Sequence, residues 1–440
     1  MNLGPVLPLL LVVLAPAASA QAHWFVDGQG GRDSNPGTTA QPLRSISFAV
    51  QRAGSADTIW VRPATYSATA TGEVFPILIG GPRNHTALRI RGAGPSRVVL
   101  DMEQRGGGTF HLSGQSANNV RVSGLTITNA GTADWYASGF LVGSSQGSDP
   151  VSSARIDHIA FDHCNRGVVF WGTTPSHIAC SVDDCLFLNL ANDAIDDFSS
   201  SGQFLFHNTV LNTSQVGMTV AAPQAVVVNN VLVGCRVGMA LGAQATGASV
   251  SNNDFFANGT DFQGAVNPAR NGFVDPQFVN QAAGDARLAA TSPLRDAAQV
   301  SPGVLDRDLD GNPRALDADG DGFAIADLGC FERTDVRYST IGTWRIGQSV
   351  QLDVSAPAGN QGLLLFARGE RVVPLPGGAV LLLDPAGLLP LVFAVTSTPG
   401  RYGLLLPNDP NLTGTRIHLQ ALVVDPQLRL TPTNDLIEWF

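Results

Sequence analysis

Three carboxylates crowd one short stretch of this chain, Asn192-Asp193-Ala194-Ile195-Asp196-Asp197-Phe198. Glycosidic hydrolysis by two carboxylates needs one held protonated near neutral pH and one ionised, flanking the scissile bond. Carboxylates packed this closely push their pKa values apart, which is how acid–base pairs are made. Asp196 or Asp197 is then the expected acid and a neighbouring carboxylate such as Asp193 the base, with His207 following nine residues after Phe198. Arg166, one repeat earlier, is placed to hold a sugar carboxylate bidentately. Trp135 and Tyr136 either wall a groove and stack on a sugar ring or pack on the body of the protein. The acids also have a plainer reading, in which the repeat shifts register and they are solvated or hold a cation.

A second acidic cluster lies further on. Asp317, Asp319 and Asp321 with Gly322 match positions one, three, five and six of a calcium loop, while position twelve is Leu328 and Asp327 falls one residue early. Asp306-Arg307-Asp308-Leu309-Asp310-Gly311 repeats the Asp spacing. A structural Ca2+ clamping the C-terminal end of the main body and a plain Asx/Gly turn cluster both fit. One absence bounds the chemistry more firmly. The chain has no lysine, and all 26 basic residues are arginine, which excludes a lysine base or Schiff base. A net charge of −10 with no basic run argues against a nucleic-acid partner.

The elements that must position these groups repeat along the chain. Seven-residue units recur at Gly124–Ala130, His158–Cys164, Asp184–Leu190, Asn208–Ser214, Asn229–Cys235 and Asn252–Asn258, with starts 34, 26, 24, 21 and 23 residues apart. A second segment follows several of them, and aligning Ala194 with Gly167, Gly217 and Gly238 sets Asp193 against Arg166, Asp196 against Val169 and Asp197 against Phe170. Two short β-segments and turns per repeat make one coil of a parallel β-helix, because a lone coil cannot bury its own apolar face. Asn in the turns can bond its own backbone or stack into ladders. Pro42–Gly54 places Ile46, Ala49, Val50 and Ala53 on one helical face, a short helix plugging the end of the core. An Asp/Gly/Pro-rich segment, 285–333, closes the solenoid. Beyond it, alternating apolar runs over 336–440 predict a separate β-sandwich-like domain. Leu3 to Ala15 is apolar and Ala18-Ser19-Ala20 is a small-x-small site, so residues 1–20 read as a signal peptide and 21–335 as the exported solenoid. No later run is long enough for a membrane helix. The five cysteines make no disulfide framework. Cys180 and Cys185 can pair in an oxidising compartment, or Cys164, Cys185 and Cys235 can serve as small core residues.

The opening Trp24-Phe25-Val26-Asp27 through Asp33-Ser34-Asn35-Pro36-Gly37-Thr38, then Gln41–Ile46 and Asp57–Tyr66, resembles the start of pectate-lyase-like β-helix proteins, including chondroitinase B-like enzymes. The resemblance covers roughly residues 23–333 and implies an all-β protein, a right-handed parallel β-helix with an N-terminal helical cap. The last residues resemble β-domains appended to bacterial secreted proteins. Several lyases of this group use a lysine base assisted by calcium, which cannot transfer here. An arginine base remains open, and Arg155 and Arg166 lie in the repeats. The acidic coil resembles the Asp-Asp centre of polygalacturonases but lacks their other His and Arg-x-Lys elements. Two functions are therefore expected: a secreted, monomeric enzyme acting on acidic polysaccharide by lyase or hydrolase chemistry, or a non-catalytic surface or adhesion protein binding glycans or protein partners.

Overall fold

Alternation along each strand decides what enters the core. Ile77, Phe110, Phe140, Val168, Ile195, Met218 and Met239 occupy one register column across successive strands, and all are buried. The same stacking repeats around the chain to give a 15-stranded and an 8-stranded sheet, both parallel throughout, with strands of the two sheets alternating in sequence. This is a right-handed parallel β-helix, the hand that parallel crossovers take. The computed structural model describes residues 21–439 except 132–136, 144–149, 173–178, 200, 265–269, 300–306, 315, 317–323, 335, 342–346, 357–359, 376–379, 387, 395–399, 407, 410–414 and 425–429. The expected signal peptide, Trp135 and Tyr136, and Asp317, Asp319 and Asp321 lie outside the described residues. Among the described residues no helix is long and apolar enough to cross a membrane.

Coils turn at left-handed corners stacked in columns. One column is Gly124, His158, Asp184, His207, Asn229 and Asn252; all but Gly124 and its φ of 75° lie between 50° and 61°. A second, five residues later in each coil, is Asn129, His163, Asn189, Asn212, Gly234 and Ala257. Gly, Asn, Asp and His tolerate this backbone best, which is why they mark the repeats. The columns correct one sequence alignment: the corner of the fourth unit is His207, not Asn208, so it begins 23 residues after Asp184 and 22 before Asn229.

Beside the first column runs a buried amide ladder. Asn208 Nδ2 donates to Asn230 Oδ1 at 2.9 Å, Asn230 Nδ2 to Asn253 Oδ1 at 2.9 Å, and Asn253 Nδ2 to Asn271 Oδ1 at 3.0 Å. Each of these side chains also donates to a carbonyl of the preceding coil, at Val182, Leu205 and Val227. Of the two readings open for the cysteines, the pairing of Cys180 with Cys185 does not occur. All five cysteines are free and buried, filling core positions as small apolar groups.

The helical cap is Ile46–Arg52, with Ile46, Ala49 and Val50 buried and Ser45 accepting from the Phe48 amide. A distant carboxylate completes the cap: Glu73 accepts from the Ile46 and Ser47 amides at 2.7 and 2.9 Å.

The closing segment, in its described residues, is not confined to the end of the stack. It runs back along its flank, where Ala286, Leu288, Leu294, Leu309, Leu328 and Phe331 share a core with Leu186, Leu211, Val231 and Val233. Asn252 donates to the Ala297 carbonyl, Asn229 to that of Gln299, and His158 meets that of Arg307. Arg314, buried beneath, pairs with Asp184 and reaches Glu332 at 3.6 Å. Beyond it, strands within 337–439 pair antiparallel. Val350, Leu352 and Val354 of one sheet share a core with Leu364, Leu419, Ala421 and Val423 of another, as a sandwich requires.

Two substitutions test the corners and the ladder. Asn230→Ala strands buried donors on Asn208 and should cost about 3 kcal/mol of unfolding free energy. Ala257→Gly, at an exposed corner with φ 53°, should stabilise by about 0.5 kcal/mol. Denaturant unfolding reads both, and an Asn230→Ala cost below about 0.5 kcal/mol would contradict the ladder's role.

Candidate functional site

The acidic coil sits in the register expected for it, with Val168, Val169 and Phe170 opposite Ile195, Asp196 and Asp197. The consequence differs from the sequence expectation. Asp197 belongs to the inward column with Phe170 and Val220 and is fully buried. It accepts from the Ser199 amide at 3.1 Å and from the Ser199 hydroxyl. Asp196 faces outward yet is only 1% exposed, with Arg166 Nε donating to its Oδ2 at 2.8 Å. Asp193 stands 3.6 Å from Arg166 Nη2 and accepts from the Val216 amide at 2.7 Å. Burial, then the neighbouring Asp193 charge, pushes Asp196 up to about 7, and burial alone does the same to Asp197. The structure thus brings Arg166, Asp193 and Asp196 together as a closed ion cluster and turns Asp197 away from it. An exposed Asp196–Asp197 pair flanking a sugar bond is not present.

His207 is likewise no part of that cluster. It is a corner residue on another sheet edge, fully buried, with Nε2 against Asn229 Nδ2 at 3.0 Å. Burial, then the Arg314 charge, holds its pKa well below the usual imidazole value, so it stays neutral in the fold. Asp327, expected as a calcium ligand, spends both oxygens on backbone amides, those of Asp296 at 2.8 Å and Arg333 at 2.6 Å. Among the described residues no group of three His, Cys, Asp or Glu side chains is placed to hold a metal ion. Arg155, weighed as a base, is ion-paired instead, its Nε 2.8 Å from Asp183 Oδ2.

A different site emerges on the 15-stranded sheet. Two outward columns stack side by side: Arg89, Arg121 and Arg155 in one, and Trp60, Arg91, Ser123, Asp157 and Asp183 in the next. The inward residues between them, Ile59, Ile90, Val122, Ile156 and Val182, are buried. Where the closing segment passes over this face it leaves a cleft of about 370 Å³. Five arginines line it, Arg91, Arg97, Arg121, Arg287 and Arg307, with Asp157, Asp285 and Asp310 among them. On its floor Arg121 binds Asp157 through two 2.8 Å hydrogen bonds. His158 Nδ1 meets Asp157 Oδ2 at 2.9 Å, and its Nε2 lies 3.1 Å from the Arg307 carbonyl. Burial opposes ionisation of Asp157, but Arg121 and His158 outweigh it and hold the carboxyl well below its usual range. On the far wall Arg287 binds Asp310 through Nε at 2.6 Å and Nη2 at 3.0 Å. At the rim Arg91 and Arg307 share one carboxylate, that of Glu370, at 2.7 and 3.0 Å. Most of these residues lie just ahead of the seven-residue units rather than inside them. The signal was there in Arg89-Ile90-Arg91, Arg121-Val122-Ser123 and Arg155-Ile156-Asp157, three polar–apolar–polar triplets at one station of successive coils.

Residues 29–270 match the model of a family described as "Protein of unknown function (DUF1565)". No curated protein matches the sequence. Among solved structures the chain is similar to the GH136 lacto-N-biosidase from Eubacterium ramulus, at 14% identity and TM-score 0.42 over 54% of this chain and 52% of that one. It is similar to the pectate lyase Pel9A at 14% identity and TM-score 0.35, over 72% and 98% of the respective chains. It is also similar to the A-module of the Azotobacter vinelandii mannuronan C-5 epimerase AlgE6, at 14% identity and TM-score 0.34 over 53% and 68%. The chain spans about half the length of the lacto-N-biosidase.

The buried acids give a pH dependence of known sign. Asp183, Asp196, Asp197 and Asp327 are each raised to about 7, with burial the largest cause, against unfolded values near 4. Between about pH 4 and pH 7 the folded state therefore binds more protons than the unfolded one, and stability falls as pH rises through that window. The melting temperature should be higher at pH 5 than at pH 8 in buffers of equal ionic strength. The reverse order would show that these acids are ionised in the fold.

Proposed function

The chain belongs to the DUF1565 family, and from its coil stack and arginine-lined cleft we propose that it is an exported carbohydrate-related protein that binds an acidic polysaccharide. The observation that carries this reading is the cleft: five arginines line one concavity against three aspartates, in a chain whose net charge is −10. Arginine presents planar, paired donors that match carboxylate geometry, and it remains charged at every relevant pH. Arginines outnumber carboxylates there on a body that is acidic overall, so the concavity repels an anion less than the rest of the surface does. A long shallow sheet face suits a polymer, since successive coils offer side chains about 4.8 Å apart. The apolar leader at residues 3–15 supports export.

A second reading, cleavage of the bound polymer by lyase or hydrolase chemistry, draws on the Asp157–His158 pair at the cleft floor. A carboxylate orienting an imidazole is a general acid–base arrangement. Binding is the better supported of the two, because Arg121 and both ring nitrogens of His158 are already engaged by protein groups.

Incubation of the full chain with polygalacturonate, alginate, chondroitin sulfate, neutral dextran and single-stranded DNA tests both. Binding is expected for acidic polysaccharides, not for dextran, and should weaken with salt. The double variant Arg91→Ala/Arg97→Ala should bind at least tenfold more weakly. Equal affinity for dextran, preference for DNA, or indifference to the double variant would overturn the reading. An unsaturated product absorbing in the ultraviolet would show lyase action, new reducing ends without it hydrolysis, and neither would leave binding alone.

A further inference from the structure

Glu370 lies in the strand Glu370–Pro374 of the C-terminal domain, yet its carboxylate is held at the rim of the solenoid's cleft. Arg91 Nη1 donates to its Oε1 at 2.7 Å and Arg307 Nη1 to its Oε2 at 3.0 Å. Each oxygen thus has its own guanidinium, one from the sheet face and one from the closing segment. The carboxylate is not sealed off: its side chain is 30% exposed, and those of Arg91 and Arg307 are 24% and 20% exposed. The two arginines are also fixed from behind. The Arg91 guanidinium lies 5.0 Å over the Trp60 ring, and Arg307 Nη2 donates to the Leu382 carbonyl at 3.3 Å. Preformed donors of this kind bind a carboxylate with little ordering cost.

We propose that Arg91 and Arg307 form a carboxylate subsite of the cleft and that Glu370 fills it in the unliganded chain, to be displaced by a uronate carboxylate of the polymer. The inference rests on the acidic-polysaccharide reading and names the ligand group and the residue that competes with it. Glu370 stands where the ligand's carboxylate goes, so its chemistry reports what the subsite accepts. Displacement exchanges one carboxylate for another on the same two guanidiniums, so the number of charge-assisted hydrogen bonds there is conserved. Burial disfavours the ionised Glu370, but Arg91 and Arg307 outweigh it and keep the carboxyl ionised, as a competitor must be.

The test is the affinity of the full chain for polygalacturonate, measured for the native protein and for Glu370→Gln and Glu370→Ala. Glu370→Gln keeps the shape and removes the charge, and Glu370→Ala empties the subsite. Both should bind at least fivefold more tightly than the native chain, and adding Arg91→Ala should abolish the gain. A melting temperature within a few degrees of native identifies variants that keep their fold, and the Gln isostere stands in if the Ala variant does not. Native binding that both Glu370 variants leave unchanged or weaken would overturn the subsite while leaving the polysaccharide reading intact. A gain that survives Arg91→Ala would overturn it too. No binding of any acidic polysaccharide by native or variant protein would remove the broader reading and the subsite with it.

Discussion

Each coil of the solenoid has to turn through left-handed backbone at the same stations, because a slip of one residue in a strand exchanges its inner and outer faces. The corners at Gly124, His158, Asp184, His207, Asn229 and Asn252 and those five residues later fix that register. Between them the strands are only three residues long in the later coils, as at Thr209–Leu211 and Val231–Val233. Strands this short have little register preference of their own, so the corners and the amide ladder through Asn208, Asn230 and Asn253 supply it. The ladder also satisfies buried backbone groups that the turn would otherwise leave unpaired. Inside this frame, stacked rings such as Phe161 on Phe187, with centroids 4.7 Å apart, fill the core.

The same corners anchor the closing segment. Asp184, His207 and Asn229 are corner residues whose side chains point to the flank where the described part of the closing segment returns. Arg314 is buried there with Asp184 and Glu332, while Asp308 and Asp327 cap backbone amides nearby. Several carboxyls around one buried guanidinium cannot all ionise cheaply, which is why burial pushes Asp308 up to about 6 and Asp327 up to about 7. Gly329 packs here because a Cβ would meet the Thr209 hydroxyl, and the Cys330 amide donates to that same oxygen at 3.0 Å.

The cleft is a by-product of that return path. Because the segment crosses the arginine-bearing face without filling the space between, Arg121 and Asp157 form a floor and Arg287 and Arg307 a wall. A chain whose cations are all arginine is suited to this. Guanidinium is weakly hydrated, stacks on rings and forks onto carboxylates, so it can be held in a partly buried place with its remaining donors directed outward. The C-terminal domain then meets the cleft through Glu370 and places Arg416 3.9 Å from the Trp60 ring centroid.

Short-range periodicity carries a large part of this architecture. Apolar alternation, the recurring Asn, Asp, His and Gly of the turns and the amphipathic run at Ile46–Ala53 were enough for the coils, the cap and the antiparallel character of the last hundred or so residues. Even the register of Asp196 and Asp197 against Val169 and Phe170 was legible. The environment of each side chain, by contrast, is set only when the coils pack against one another. Alternation marks Asp197 as inward only once the strand's neighbours are known, and a carboxylate in the core breaks the rule from which its direction would be inferred. His207 read as a chemical group because its corner column is visible only when coils are stacked. The cleft was illegible for a simpler reason: its groups come from residues 91, 121, 157, 287, 307 and 370, and the pairing of Arg91 with Glu370 spans 279 residues. No local pattern encodes a contact of that separation. It exists because the closing segment returns along the flank and brings a second domain to a face built near the chain's beginning.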